Sequence, residues 1–213
     1  MVRTLMNRKG FTLVELAIVL VIIGIILGVA LKGQELINSA KMKRVYSQYR
    51  EMLAATLTYQ DKYNQKLAGD DNGAGLATRW SPVTYYTGGN GNGRIGGGAT
   101  GTDAAPGNMF TCAAATSSET CGQWDQLRAA NIISGPRNGT NPTNTVGGTV
   151  GIAWVTVSGL DGNWIGMSNI PSDIAVTLDS QYDDGSATTG DIRALAAYVP
   201  GSKDKISIFF KGP

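Results

Sequence analysis

Residues 11–31 form a run of 21 positions in which Glu15 is the one charged side chain, and the next charge is Lys32. Just ahead of it stand Arg8, Lys9 and Gly10. At about 1.5 Å per residue, a helix over this run spans roughly 31 Å, about one bilayer core. A cleaved secretory signal has a shorter apolar core followed by a small-residue cut site, and it does not carry an acid. A plain single-pass anchor fits the length. It leaves Glu15 without a reason, because an acid in hydrocarbon costs about 2.5–3.5 kcal/mol at mid-membrane unless it finds a partner. A third arrangement gives it one: the helix packs among identical helices, where the acid meets a cation.

The rest of the composition narrows the function classes. A chain of 213 residues suits one modest domain with an appendage. Net charge is +2; with Arg3, Arg8 and Lys9 set aside, the 18 basic side chains fall to 15 against 16 acidic. No broad basic surface for nucleic acid is implied. There is no histidine, which removes the commonest general base and a common zinc or haem ligand. No nucleophile elbow, phosphate loop or metal-ligand cluster of known spacing appears. A membrane-tethered hydrolase using two nearby aspartates on a glycan is the enzymatic alternative, and it has no use for the Gly10/Phe11 junction or for Glu15.

The junction Lys9-Gly10-Phe11-Thr12-Leu13-Val14-Glu15 resembles the processing site of type IV prepilins and type II secretion pseudopilins. The resemblance implies cleavage between Gly10 and Phe11 by a membrane-embedded prepilin peptidase, with N-methylation of Phe11. It implies that Glu15 neutralises the N-terminal amine of a neighbouring subunit, a pairing in which each buried charge answers the other. Its implied partners are other pilin subunits, the prepilin peptidase and methylase, and an inner-membrane assembly platform. Arg3, Arg8 and Lys9 hold the N-terminus in the cytoplasm. The precursor is then a single-pass bacterial inner-membrane protein, and the product a periplasmic or extracellular filament. Many major pilins carry a proline where this chain has Lys32, which favours a minor pilin or a pseudopilin.

Beyond Lys32, apolar residues from Leu36 to Leu67 recur at threes and fours, so the helix continues to residue 68 and is stopped by Gly69-Asp70-Asp71. Four segments follow: a leader 1–10, a filament-core or transmembrane helix 11–31, an amphipathic continuation 32–68, and a head 69–213. The tyrosines on the continuation read as aromatics packed on a sheet, and Lys41, Lys43 and Arg44 as a solvated face. In the head, 80–87 reads as a strand or ordered loop, and 88–108 as a glycine-rich surface loop with few anchors. A short helix spans 118–130, with Asn131 in the left-handed cap position. A hairpin pairs 149–158 with 163–168 around a turn at 159–162. A helix from Ser172 reaches Tyr182, and 192–199 and 205–211 supply further strands.

The head also resembles a pilin subfamily in Tyr59-Gln-Asp-Lys-Tyr63, in Trp124-Asp-Gln-Leu127 and in the Asp179–Arg193 region. The implied fold is the α+β pilin roll, a long N-terminal helix laid against an antiparallel sheet. Outside the inner membrane, Cys112 and Cys121 read as a structural disulfide, since their spacing is neither a redox motif nor a metal knuckle. No cofactor is expected, with calcium as the alternative. Asp179, Asp183, Asp184 and Asp191 offer oxygen ligands, and some pseudopilins bind calcium in this region. The spacing is not that of an EF-hand, and aspartates also favour turns and caps for their own hydrogen bonds.

Overall fold

The computed structural model describes residues 10–72, 79, 88–96, 105–113, 118–199, 201–202 and 204–213. Arg3, Arg8, Lys9 and the segment 80–87 lie outside the described residues. The architecture is α+β: a long N-terminal helix and a four-stranded antiparallel sheet. The chain divides into two compact units between Ala40 and Lys41.

Helix α1 covers Leu13–Lys62. The large apolar residues from Phe11 to Leu31 are all about half exposed or more, from 47% at Ile23 to 87% at Leu13. In the second unit the same helix turns amphipathic and buries Met42, Val45, Ala55, Thr56 and Tyr59. It ends six residues earlier than its periodicity suggests. Asn64 and Gln65 take positive φ (58° and 61°), and the Gln65 N–H reaches back to the Gln60 carbonyl at 2.7 Å. That left-handed exit closes the helix before Leu67 and Ala68, which are buried as irregular chain. Gly69 (φ 93°) is there for a different reason: a Cβ would sit 2.5 Å from the Glu119 carbonyl.

Helix α2 spans Glu119–Ala129, opened by Ser118, whose side chain accepts from the Cys121 N–H. Asn131 follows at φ 57°, as expected. Strands β1 (Val150–Val157) and β2 (Leu160–Pro171) form the hairpin. Its turn is tighter than the sequence suggests: Ser158 (φ 47°) and Gly159 (φ 79°) alone connect the strands, and Val157 already pairs with Leu160. Positive φ at both central residues matches the strand twist. Helix α3 (Ser172–Tyr182) follows, then β3 (Ile192–Ala194) and β4 (Lys205–Lys211). The spatial order is β1-β2-β4-β3. Strand β3 stops at Ala194 and not at residue 199 because the chain leaves the sheet for α3. There the Val199 N–H donates to Ser172 Oγ at 2.9 Å and the Tyr198 hydroxyl donates to Asp179 Oδ2 at 2.6 Å.

Both faces of the sheet are covered. On one, Ile152, Ile165, Met167, Ile208 and Phe210 join Val45 and Tyr59 of α1, Trp124 and Leu127 of α2, and Leu178 of α3. On the other, Ala153, Val155, Val157, Trp164 and Phe209 form a second cluster with Met109. Met109 and Phe110 belong to a 3-10 turn, Pro106–Phe110. They enter a depression made by two glycines that face each other across the strands, Gly151 and Gly166. A Cβ on Gly151 would lie 2.6 Å from the Met109 carbonyl, and one on Gly166 would lie 2.7 Å from Phe110 Cζ. Gly151→Val is therefore expected to cost about 1–3 kcal/mol by overpacking. Gly162→Ala, whose Cβ meets nothing closer than 3.6 Å, should stay within about 0.5 kcal/mol of the parent. Urea unfolding of the detergent-solubilised chain checks both.

Candidate functional site

The first turn of α1 and the three residues ahead of it hold the positions at which the sequence resemblance puts N-terminal processing. Gly10 and Phe11 are exposed, and Thr12 and Glu15 cap the helix reciprocally. The Thr12 N–H donates to Glu15 Oε2 at 2.8 Å, and the Thr12 hydroxyl donates to the same oxygen at 2.9 Å. In return the Glu15 N–H donates to Thr12 Oγ1 at 3.2 Å. This is a capping box, and its T-x-x-E spacing was readable in the sequence. The Glu15 carboxylate thus sits beside the peptide N–H one residue from Phe11, on the side where a new α-amine would appear. Past it, α1 is long and apolar enough to cross a membrane, by length and composition.

In the head, Cys112 and Cys121 are joined by a disulfide. The bond ties the chain that follows Met109 and Phe110 to the first turn of α2. Asn141 reinforces the same junction: its Oδ1 accepts from the Cys112 N–H, and its Nδ2 donates to the carbonyls of Met109 and Val150. The covalent tie and this side chain together hold the second-face plug in its seat.

The four aspartates near the C-terminus do not all converge. Asp179, Asp183 and Asp184 bring a carboxylate oxygen each to within 4.8 Å of one another. Asp191 stands apart, exposed and 3.4 Å from Lys211 Nζ. The three clustered groups already have work in the loop. Asp179 accepts from the Gly185 N–H and the Tyr198 hydroxyl, Asp183 from the Ile192 N–H, and Asp184 from the Ser186 N–H and the Thr189 hydroxyl. Oxygen ligands for a hard cation are present, and the fold of the loop is accounted for by these bonds without one.

Sequence reasoning missed Asp70. Its buried carboxylate accepts from the N–H groups of Gly91 at 2.7 Å, Asn92 at 3.2 Å and Gly93 at 2.6 Å. Glu119 likewise takes the N–H groups of Asn90 and Gly96, both at 2.9 Å. Asn163 accepts from Ile95, whose own carbonyl caps the edge of β1 at the Trp154 N–H. Residues 88–96 are therefore a pinned nest and not a loosely anchored surface loop. The signal was Asn-Gly-Asn-Gly: alternating left-handed glycines (Gly91 φ 76°, Gly93 φ 81°) turn successive N–H groups toward one acceptor.

A groove of about 770 Å³ runs beside α1 and is lined by Met52, Ala55, Thr58, Ile132 and Ile133 with Glu51 and Lys62. Thr58 and Ser134 bring hydroxyls to it, and Thr58 Oγ1 donates to the Ala54 carbonyl at 2.7 Å.

Burial raises Asp179 above the ordinary carboxylate pKa, while the bonds from Tyr198 and Gly185 pull the other way. The Tyr198 phenol is raised too, by burial first and by the Asp179 carboxylate second. Between its unfolded and folded pKa values Asp179 keeps a proton in the native state that the unfolded chain has released. Its contribution to stability is full below that window and is lost as pH rises through it. Asp179→Asn should abolish this dependence, so its melting temperature relative to the parent should climb as pH rises from the acid side toward neutrality. Parallel pH-dependent melts of the two proteins check it.

Residues 5–31 match the prokaryotic N-terminal methylation motif. No curated protein and no solved structure matches the chain. The match falls on the Gly10/Phe11 junction, on the Thr12–Glu15 cap and on the uncovered apolar turns that follow. With this N-terminus the chain carries the signature of the type IV pilins and pseudopilins.

Proposed function

We propose that this protein is a structural subunit of a type IV pilus or pilus-like filament. It is cut between Gly10 and Phe11 by prepilin peptidase, methylated at Phe11, and assembled through residues 11–31. One observation carries the reading: the methylation motif lies on a helix whose large apolar side chains, through Leu31, are uncovered by the rest of the chain. Such a surface is stable in lipid or among neighbouring helices, and each fully buried Val, Leu or Ile is worth about 1.5–3 kcal/mol against water. Glu15 then sets the register. In the precursor it is occupied by its own Thr12, and in the fibre it pairs with the α-amine of a neighbour's Phe11. The precursor lies in the bacterial inner membrane with its N-terminus cytoplasmic and its head outside, and the assembled subunit is periplasmic or extracellular. Its work is mechanical and adhesive, with other pilin subunits and the assembly platform as partners. The enzymatic alternative, a tethered hydrolase, leaves the junction and the exposed helix without a role.

A type II secretion pseudopilin is the second reading. What favours it is that α1 runs unbroken through Lys32, where many major pilins carry a helix-weakening proline.

Glu15→Ala should be cut normally and fail to enter fibres, read as a processed band retained in the membrane fraction. Gly10→Leu should leave a heavier, uncut precursor. Normal fibre incorporation of Glu15→Ala would refute the role given to the acid. Immunogold labelling of sheared surface fibres separates the subunit classes. Label along the length marks a major pilin, rare or tip label a minor one, and unlabelled surface fibres a pseudopilin.

A further inference from the structure

Three Asn-Gly pairs have both members described: Asn90-Gly91, Asn92-Gly93 and Asn138-Gly139. Asn-Gly is the dipeptide at which a backbone nitrogen most easily reaches the preceding side-chain amide, because glycine puts no Cβ in the way. In the first two pairs that nitrogen is engaged, with its N–H held by Asp70 at 2.7 and 2.6 Å. At the third, the Gly139 N–H has no acceptor among the described residues.

The electrophile at this third pair is also prepared. Asn138 Oδ1 accepts from Arg128 Nη1 at 3.2 Å, from the Thr140 N–H at 3.2 Å and from the Thr140 hydroxyl at 2.6 Å. A guanidinium and a peptide N–H can only donate, so oxygen and not nitrogen occupies this end of the amide. Three donors on one carbonyl oxygen are the arrangement that stabilises an oxyanion. The opposite end, Nδ2, makes no hydrogen bond to the described residues, so it is free to leave.

The surroundings favour the product as well. Arg128 is only 7% exposed. Its remaining contacts are neutral: the Asn138 carbonyl at 2.7 Å and the Thr140 carbonyl at 2.9 Å, with Nε unpartnered. The neighbouring carboxylate, Asp125, is held by Arg137 at 3.0 Å. Burial accordingly pulls Arg128 below the ordinary guanidinium pKa, with Asp125 opposing. A buried cation served only by neutral oxygens gains from a carboxylate placed within reach.

We propose that Asn138 is a self-processing site, at which the Gly139 nitrogen closes on the Asn138 side chain and the product carboxylate pairs with Arg128. The Gly139 nitrogen, at a buried position, forms a bond to Asn138 Cγ as its proton passes to Nδ2. The tetrahedral oxyanion on Oδ1 is held by Arg128 and Thr140. It collapses, the Cγ–Nδ2 bond breaks, and the nitrogen leaves as ammonia with that proton, closing a succinimide. Water then opens the ring. Attack at Cγ gives aspartate, and attack at the main-chain carbonyl gives isoaspartate. No oxidant or reductant takes part.

The test follows the full chain in detergent, folded and in parallel in urea, by peptide mass spectrometry with isoaspartyl methyltransferase labelling. In the folded protein Asn138 should convert roughly tenfold or more faster than Asn90 and Asn92, and the three should converge in urea. Thr140→Val, which removes one donor from a half-buried position, should slow Asn138 roughly tenfold, and Thr140→Ser should restore it. Asn138→Asp, which carries the product carboxylate, should melt higher than the parent. Three equal rates in the folded protein, or an Asn138 rate indifferent to Thr140→Val, would overturn the site. An Asn138→Asp chain that melts no higher would overturn the pairing with Arg128.

Discussion

An apolar helix surface that its own chain does not cover must be covered by something else. Through Leu31, α1 exposes about half or more of every large apolar side chain, and in water this would be an aggregation surface far beyond what a soluble monomer tolerates. Lipid satisfies it. So does a bundle of like helices, because lipid tails and leucine side chains are equivalent solvents for one another. The apolar residues therefore keep the helix out of water without choosing between membrane and fibre. In the proposed function Glu15 distinguishes them, since an acid costs about 2.5–3.5 kcal/mol in hydrocarbon, and a cationic partner offsets that cost. In isolation its carboxylate makes do with the Thr12 N–H and hydroxyl. Those are neutral donors, and a charged one from another chain binds more strongly.

The head meets a different constraint, that of holding irregular chain in place. Much of the second unit is loop, and loops bring backbone N–H groups that must be paired if buried. The recurring solution is a side-chain carboxylate or amide that accepts backbone N–H groups, three at Asp70, two at Glu119 and one at each of the others. Asp70 and Glu119 serve residues 90–96, Asn141 serves the plug, and Asp179, Asp183 and Asp184 serve the turn into β3. Each spends a polar side chain on geometry, and the disulfide adds a covalent tie at the junction where Met109 and Phe110 are seated.

The two units differ in how much of them was legible in sequence. The N-terminal helix announces itself through length, apolarity and one misplaced acid, all local properties, and the hairpin, α2, α3 and β4 follow from periodicity and turn residues close in sequence. What the sequence concealed was non-local or single-residue in origin. The early end of α1 depends on Asn64 and Gln65 adopting left-handed φ, a conformation that periodicity does not foretell. The second apolar face was hidden because nothing local in the sequence pairs Gly151 with Gly166, and only their registration across β1 and β2 makes them a seat for Met109. Asp70 read as a helix stop because its partners lie 21 to 23 residues on. Of the four C-terminal aspartates, sequence proximity grouped all of them and the fold separates Asp191, which faces Lys211.

The same contrast explains why acids that look alike in sequence behave so differently. A carboxylate that receives several backbone N–H groups is finished: its lone pairs are taken up within the fold and have little left to offer a partner. Asp70 is of this kind, with three N–H donors at 3.2 Å or closer in a buried setting. Glu15 is not. It is exposed, it holds one N–H and one hydroxyl from a single residue, and both converge on Oε2. That leaves Oε1 open and the charge uncompensated by any cation among the described residues. An acid in that condition on a helix bound for a water-free setting is unsatisfied by construction. In the function proposed above, a chain cut between Gly10 and Phe11 supplies the missing cation as the α-amine of another copy.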